Sequence, residues 1–155
     1  MSFDANHGGH LRDLQEQIHR ARTITPGLMA DVIARACPGV RAQPRSVKTR
    51  ILHLIESGAF ADATLALLEL ELPQWKLRRL IYEDGEWHCS LSKHVSLPTE
   101  LDEMAEANHE DLPLAILYAF VEARRQSLIM AQSRAHSVPQ IRAAQSYAVC
   151  CDNFA

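Results

Sequence analysis

The segment WKLRRLIYEDGEWHCSLS, from Trp75 to Ser92, is the one stretch of this chain with a strand period and hairpin chemistry. Asp84-Gly85 sits at its centre, and a two-residue type I′ turn needs positive φ at both of its central positions, which Asp-Gly supplies. With those two residues as the turn, Tyr82 faces Trp87, Leu80 faces Cys89 and Arg78 faces Leu91. One face of the hairpin then carries Tyr82, Trp87, Leu80, Cys89 and Leu91, an apolar surface that requires a helix against it. The other face carries Ile81, His88, Arg79, Ser90, Leu77 and Ser92 and is half wet. A cross-strand aromatic pair such as Tyr82–Trp87 adds roughly 0.2–1 kcal/mol over an alanine pair. A hairpin alone is marginal in water, so this one must lean on the rest of the chain.

The rest reads as helices. Leu11, Leu14, Ile18 and Ala21 recur at helical spacing, after a residue 1–9 leader that Gly8-Gly9 is expected to keep disordered. Thr25-Pro26 is a helix start, threonine as N-cap and proline in the first turn, and Pro38-Gly39 stops that helix. Residues 39–45 read as a basic connector. Ser46 is placed to cap a third helix that Gly58 ends as a left-handed cap, and residues 59–72 form a fourth. Beyond the hairpin, Leu97-Pro98-Thr99 opens an acidic segment expected to be a short helix to about Ala107. The most apolar helix follows, from Leu112 to about Gln126. Residues 127–155 form a C-terminal extension with a continuation towards Gln132, a break at Ser137-Val138-Pro139 and a weak helix from Gln140 to Cys150. The expected fold class is α+β: a mainly helical single domain over residues 10–126, with one antiparallel β-hairpin (about 75–92) packed on helices.

Length and composition bound the function classes. A chain of 155 residues, 47% hydrophobic and 23% charged, has the means to bury one substantial core. No stretch of 18 apolar residues occurs and the first ten residues are polar, so no membrane span and no signal peptide are expected. A net charge of −3 argues against a dedicated nucleic-acid binder. Four cysteines without disulfide-framework spacing suit a reducing compartment, and a bacterial cytoplasm is the expected location.

Candidate chemistry is sparse. His7 and His10 lie in the glycine-containing leader without a third ligand. His88 and Cys89, near His94, point to opposite faces of a strand, and neither Cys-x-x-Cys nor His-Glu-x-x-His occurs, so no metal is expected. Cys89 falls on the apolar face, where a thiol is buried and inert rather than nucleophilic. Cys150-Cys151 reads as a pair prone to adventitious oxidation. There is no phosphate-binding glycine loop and no Gly-x-Ser-x-Gly elbow. No catalytic residue, cofactor or small-molecule ligand is therefore expected.

Two binding readings remain. The first is a non-enzymatic cytoplasmic interaction or regulatory module with a protein partner or a second copy of itself. It rests on the alternation of basic blocks (41–50, 76–79) with acidic ones (83–86, 100–111), a pattern that plain surface solvation explains about as well. Its expected contact residues are Trp75, Arg79 and the alanine stripe Ala115, Ala119 and Ala123, where a partner helix could approach closely. On this reading Ala119→Arg leaves the monomer helical and abolishes association. The second is a winged-helix-like DNA-binding regulator, with the hairpin as wing and Arg41, Arg45, Lys48 and Arg50 on phosphates. It suffers because the helix before the hairpin carries Asp62, Glu69 and Glu71 and no basic residue.

Residues 50–125 resemble a set of short alphaproteobacterial proteins without an assigned activity. The likeness is carried by LPQWKLRR (72–79), YEDGEWHC (82–89) and LPLAILYAFVEARR (112–125). It implies no activity, cofactor or catalytic residue.

Overall fold

A computed structural model describes residues 5–136. Helices α1 (Ala5–Arg20), α2 (Pro26–Ala36), α3 (Pro38–Arg41), α4 (Arg45–Glu56) and α5 (Phe60–Glu71) lead into strands β1 (Lys76–Glu83) and β2 (Glu86–Ser92). A 3-10 turn (Thr99–Leu101) and a third strand, β3 (Met104–His109), follow, and a long helix, α6 (Leu112–His136), closes the order. The three strands form one antiparallel sheet in the order β1-β2-β3. The architecture is thus a single α+β domain, with the sheet packed on helices.

Local chemistry sets most boundaries. The Thr25 hydroxyl accepts from Leu28 N at 3.2 Å and Pro26 begins α2. Gly58, at φ 76°, ends α4 in the left-handed region. Asp84 (φ 53°) and Gly85 (φ 87°) both have positive φ, the signature of the type I′ turn, and Tyr82 pairs with Trp87 and Leu80 with Cys89 as expected.

Helix α1 begins at Ala5 and runs through Gly8 and Gly9, inside the stretch read as a leader. Each glycine costs roughly 1 kcal/mol in a helix interior, but Leu11, Leu14 and Ile18 are buried and dock the helix on the core. Helix α4 starts at Arg45, after Pro44, without a side-chain cap, so Ser46 does not serve as one. The connector 39–45 is shorter than expected, because Pro38–Arg41 winds one turn whose Val40 N–H donates to the Glu71 carboxylate at 2.8 Å.

Two differences reshape the sheet. The acidic segment expected to be a helix is the 3-10 turn and β3. Ala105 and Ala107 point inward, opposite Leu91 and Cys89, while Glu106 and Asn108 are exposed. Register in the hairpin also shifts by one at Arg78, so that Leu77 pairs with Leu91, and Lys76 with Ser92. The extra residue in that bulge lets Arg78 reach across to Asp102.

Helix α6 is the hub. It packs against β2 and β3 on one side and against α1, α2 and α5 on the others. Leu114, Ala115, Ile116, Leu117, Ala119, Phe120, Val121 and Ala123 are all buried, a helix apolar all round in its first three turns. It runs unbroken past Gln126 to His136. The break at 137–139, the helix 140–150 and the Cys150-Cys151 pair lie outside the described residues.

Candidate interaction surface

The sheet has two edges, and they differ. At β3, the Gln126 amide donates to Met104 O at 3.2 Å, and the end of α1 with the two residues after it (His19 to Arg22) lines a depression with Asn108, His109 and Glu110. At β1, no hydrogen bond from any other described element than β2 reaches the strand backbone. Because α6 lies beneath β2 and β3, β1 overhangs it. Cys89 and Leu91 on β2 are buried, whereas their neighbours on β1, Leu77 and Tyr82, are 38% and 60% exposed and Leu80 is half-buried. Tyr82 still packs on Trp87, with ring centroids 5.3 Å apart, but it does not enter the core as expected. The expectation centred the helix on the hairpin, and the third strand moves that centre to β2.

The opposite face of β1 carries Arg79, Ile81 and Glu83. They line a depression of about 180 Å³ with His88, Ser90, Glu106 and Asn108. Arg79 and Glu83 are exposed, and neither has an ion-pair partner among the described residues. Arg79 therefore lies on the surface of the edge strand.

The other expected contact residues, Trp75 and the alanine stripe, are buried. Trp75 is 1% exposed; its indole N–H donates to Ser127 Oγ at 3.0 Å, and the Lys93 ammonium sits 5.2 Å from its ring centroid. This tryptophan bolts the start of β1 to α6 and cannot meet a partner. Ala115, Ala119 and Ala123 are fully buried in the chain's own core. The stripe is small because α6 is surrounded on all sides by the domain's own helices and sheet, not because a second chain covers it.

The basic segment is divided. Arg41, Arg45 and Arg50 are exposed, but Lys48 donates to Arg41 O at 2.8 Å and ties α4 back to α3. The sheet packs on α6, and the helix that precedes the hairpin, α5, carries acidic residues and no basic one.

The remaining polar clusters hold the fold together. Glu122, on α6, accepts from Gln15 Nε2 (2.6 Å), Arg125 and Gln126, joining α1 to α6. Burial opposes its charge, but these hydrogen bonds and Arg125 outweigh that and lower its pKa. Lys93 pairs with Glu103 at 2.6 Å, beside Trp75. His109 Nδ1 accepts from Asp111 N at 2.9 Å, while the Asp111 carboxylate caps α6 through Leu114 N at 3.1 Å. Burial pushes the Cys89 thiol up to about 12 and raises Cys37 as well, so both stay protonated and unreactive at neutral pH. Among the described residues no group of three or more His, Cys, Asp or Glu side chains is arranged to hold a metal ion. Among the described residues no helix is long and apolar enough to cross a membrane.

Compared with known proteins, the chain matches no family model, no curated protein and no solved structure.

Sequence reading places Tyr82 on the face against a helix and Leu77 on the half-wet face. The structure leaves Tyr82 exposed, and the bulge at Arg78 brings Leu77, opposite Leu91, onto the same face as Leu80 and Tyr82. Their exposure follows from β3, whose period-two signal, Ala105 and Ala107 alternating with Glu106 and Asn108, was present in the acidic run.

Proposed function

We propose that this protein is a non-enzymatic interaction module that accepts an extended segment along β1 by strand addition. One observation carries the reading: β1 is an eight-residue edge strand that, among the described residues, receives no hydrogen bond on its outward side and presents half-exposed and exposed apolar side chains beside charges without an ion-pair partner. Strand addition gains affinity from main-chain hydrogen bonds and specificity from alternate side chains, and β1 offers both. The overhanging Leu77, Leu80 and Tyr82 give an incoming strand apolar area to cover. The DNA-binding reading has less support, since Lys48 is already engaged and α5 is acidic.

Hydrogen exchange tests it directly. In a hairpin closed by a two-residue turn, the pair flanking the turn is hydrogen-bonded and pairs alternate from there. The Leu80 and Tyr82 amides therefore point outward and the Ile81 amide points to β2. In dilute protein Leu80 and Tyr82 should exchange fast and Ile81 slowly, and alternating apolar octapeptides should protect the first two. Slow exchange at Leu80 and Tyr82 in the dilute, isolated chain would mean that the edge is already covered, and would sink the reading.

A further inference from the structure

We infer that the segment β1 accepts is β1 of a second copy, paired antiparallel about a two-fold axis at Ile81. This rests on the strand-addition reading above and names its partner.

Leu80 and Tyr82 direct their N–H and C=O groups away from β2, so a symmetric antiparallel partner must set outward-facing residues opposite one another. The bulge at Arg78 confines regular pairing to Arg79–Glu83. Any two-fold register centred on a residue of the strand satisfies the first condition, but centres at Arg79 or Glu83 run Leu80 into the bulge or Tyr82 into the turn, which leaves Leu80, Ile81 and Tyr82. Centring on Leu80 sets Tyr82 against the bulged Arg78, and centring on Tyr82 runs Leu80 into Asp84 of the turn. Centring on Ile81 keeps all five residues within the regular stretch.

That register is also the one the side chains match. It sets Arg79 opposite Glu83 of the copy, twice, on the face away from α6, with Ile81 against Ile81 between them. On the other face it sets Leu80 opposite Tyr82 of the copy, twice. The sequence Arg-Leu-Ile-Tyr-Glu is thus complementary to itself when reversed: basic against acidic at the ends, apolar against apolar within. Arg79 and Glu83 are both exposed and have no ion-pair partner among the described residues. Pairing would also cover part of Tyr82, 60% exposed in the single chain, and join the two sheets into one of six strands. The two-fold makes the interface isologous and closed, so it stops at a dimer.

Charge exchange is the experiment, read by sedimentation velocity on the full chain over a wide concentration range, with circular dichroism checking that each variant folds. Wild type should dimerise. Arg79→Glu and Glu83→Arg should each weaken the dimer about tenfold or more, because each turns both cross-pairs into like-charge pairs. An equimolar mixture of the two variants should restore association as a heterodimer, since every cross-pair is then opposite in sign. The double variant Arg79→Glu/Glu83→Arg should dimerise like wild type. A wild type that stays monomeric throughout overturns the proposal, as does a dimer indifferent to either reversal or a mixture that fails to associate. If wild type is monomeric but octapeptides still protect the Leu80 and Tyr82 amides, only the identity of the partner falls. If neither occurs, the strand-addition reading falls with it.

Discussion

Arg78 donates from Nη1 to Asp102 Oδ2 at 2.6 Å, and this pair joins the bulge of β1 to the loop that delivers β3. The Asp102 carboxylate is enclosed and also accepts from Ser92 Oγ and, at 3.0 Å, from His94 N. Arg78 in turn donates to Leu97 O at 3.0 Å. The bulge and the 93–103 loop therefore explain each other: the extra residue in β1 carries the guanidinium to the carboxylate, and the carboxylate holds the loop in place for β3.

Asp102→Asn should lower the unfolding midpoint at neutral pH, and the loss should depend on pH. Burial opposes the charge of Asp102, but hydrogen bonds from Ser92, His94 and Arg78, together with the Arg78 charge, outweigh it and lower the carboxyl pKa. A depressed folded-state pKa adds stability that is complete above the unfolded carboxyl value of about 3.9 and is lost as pH falls through the lower folded value. The gap between wild type and Asp102→Asn should accordingly be constant near neutrality and close at acid pH. A gap that persists unchanged to pH 2 would mean that the carboxylate charge does not hold the loop.

Gly85→Val should destabilise the domain by ~1–2 kcal/mol, the left-handed penalty for a residue with a side chain. Gly85 has φ 87°, and a Cβ placed on it would meet no atom within 4 Å, so the cost is one of backbone conformation alone. Chemical denaturation should show a lower midpoint with an unchanged slope. An unchanged midpoint would contradict the type I′ turn.

How much of this was legible in the sequence depended on how local the determining chemistry was. The Asp84-Gly85 turn, the Thr25-Pro26 helix start and the Gly58 cap are dictated within a few residues, and the structure has all three. Strand β3 is not local in that sense. Its inward residues are the small, helix-favouring Ala105 and Ala107, and its outward Glu106 adds to an acidic run that reads as a solvated helix. Tertiary burial against α6 overrode propensity there. Missing β3 then displaced two further assignments. Tyr82 is expected in the core only if the helix centres on the hairpin. The alanine stripe is expected to need the C-terminal extension or another chain as cover only if α6 lacks the full set of neighbours (β2, β3, α1, α2 and α5) that the structure gives it. The bulge at Arg78 was equally out of reach, since it answers to an aspartate 24 positions away. Of the expected contact residues Arg79 alone among Trp75, Arg79 and the alanines lies on the surface, because it falls on the face of the edge strand turned away from α6.

The alanine stripe supplies the most decisive stability test, in the opposite sense to the sequence expectation. Ala119 has no exposed surface, and the flanking Ile116, Phe120 and Ala123 are buried with it. An arginine there must either carry its charge into the core or force α6 away from the elements packed around it. Burying an ion without a partner costs at least about 3–5 kcal/mol, much of the roughly 5–15 kcal/mol that holds a domain of this kind together. Ala119→Arg should therefore fail to fold: the near-ultraviolet signal of Trp75 and Trp87 is lost, the unfolding transition broadens or vanishes, and the protein is recovered mostly insoluble. Ala119→Gly serves as the control, since it costs only ~1 kcal/mol in helix propensity and adds no bulk. It should unfold cooperatively at a modestly lower midpoint. If Ala119→Arg instead folds with native helicity and loses only its ability to associate, the stripe is a surface after all, and the interface belongs on α6 rather than at β1.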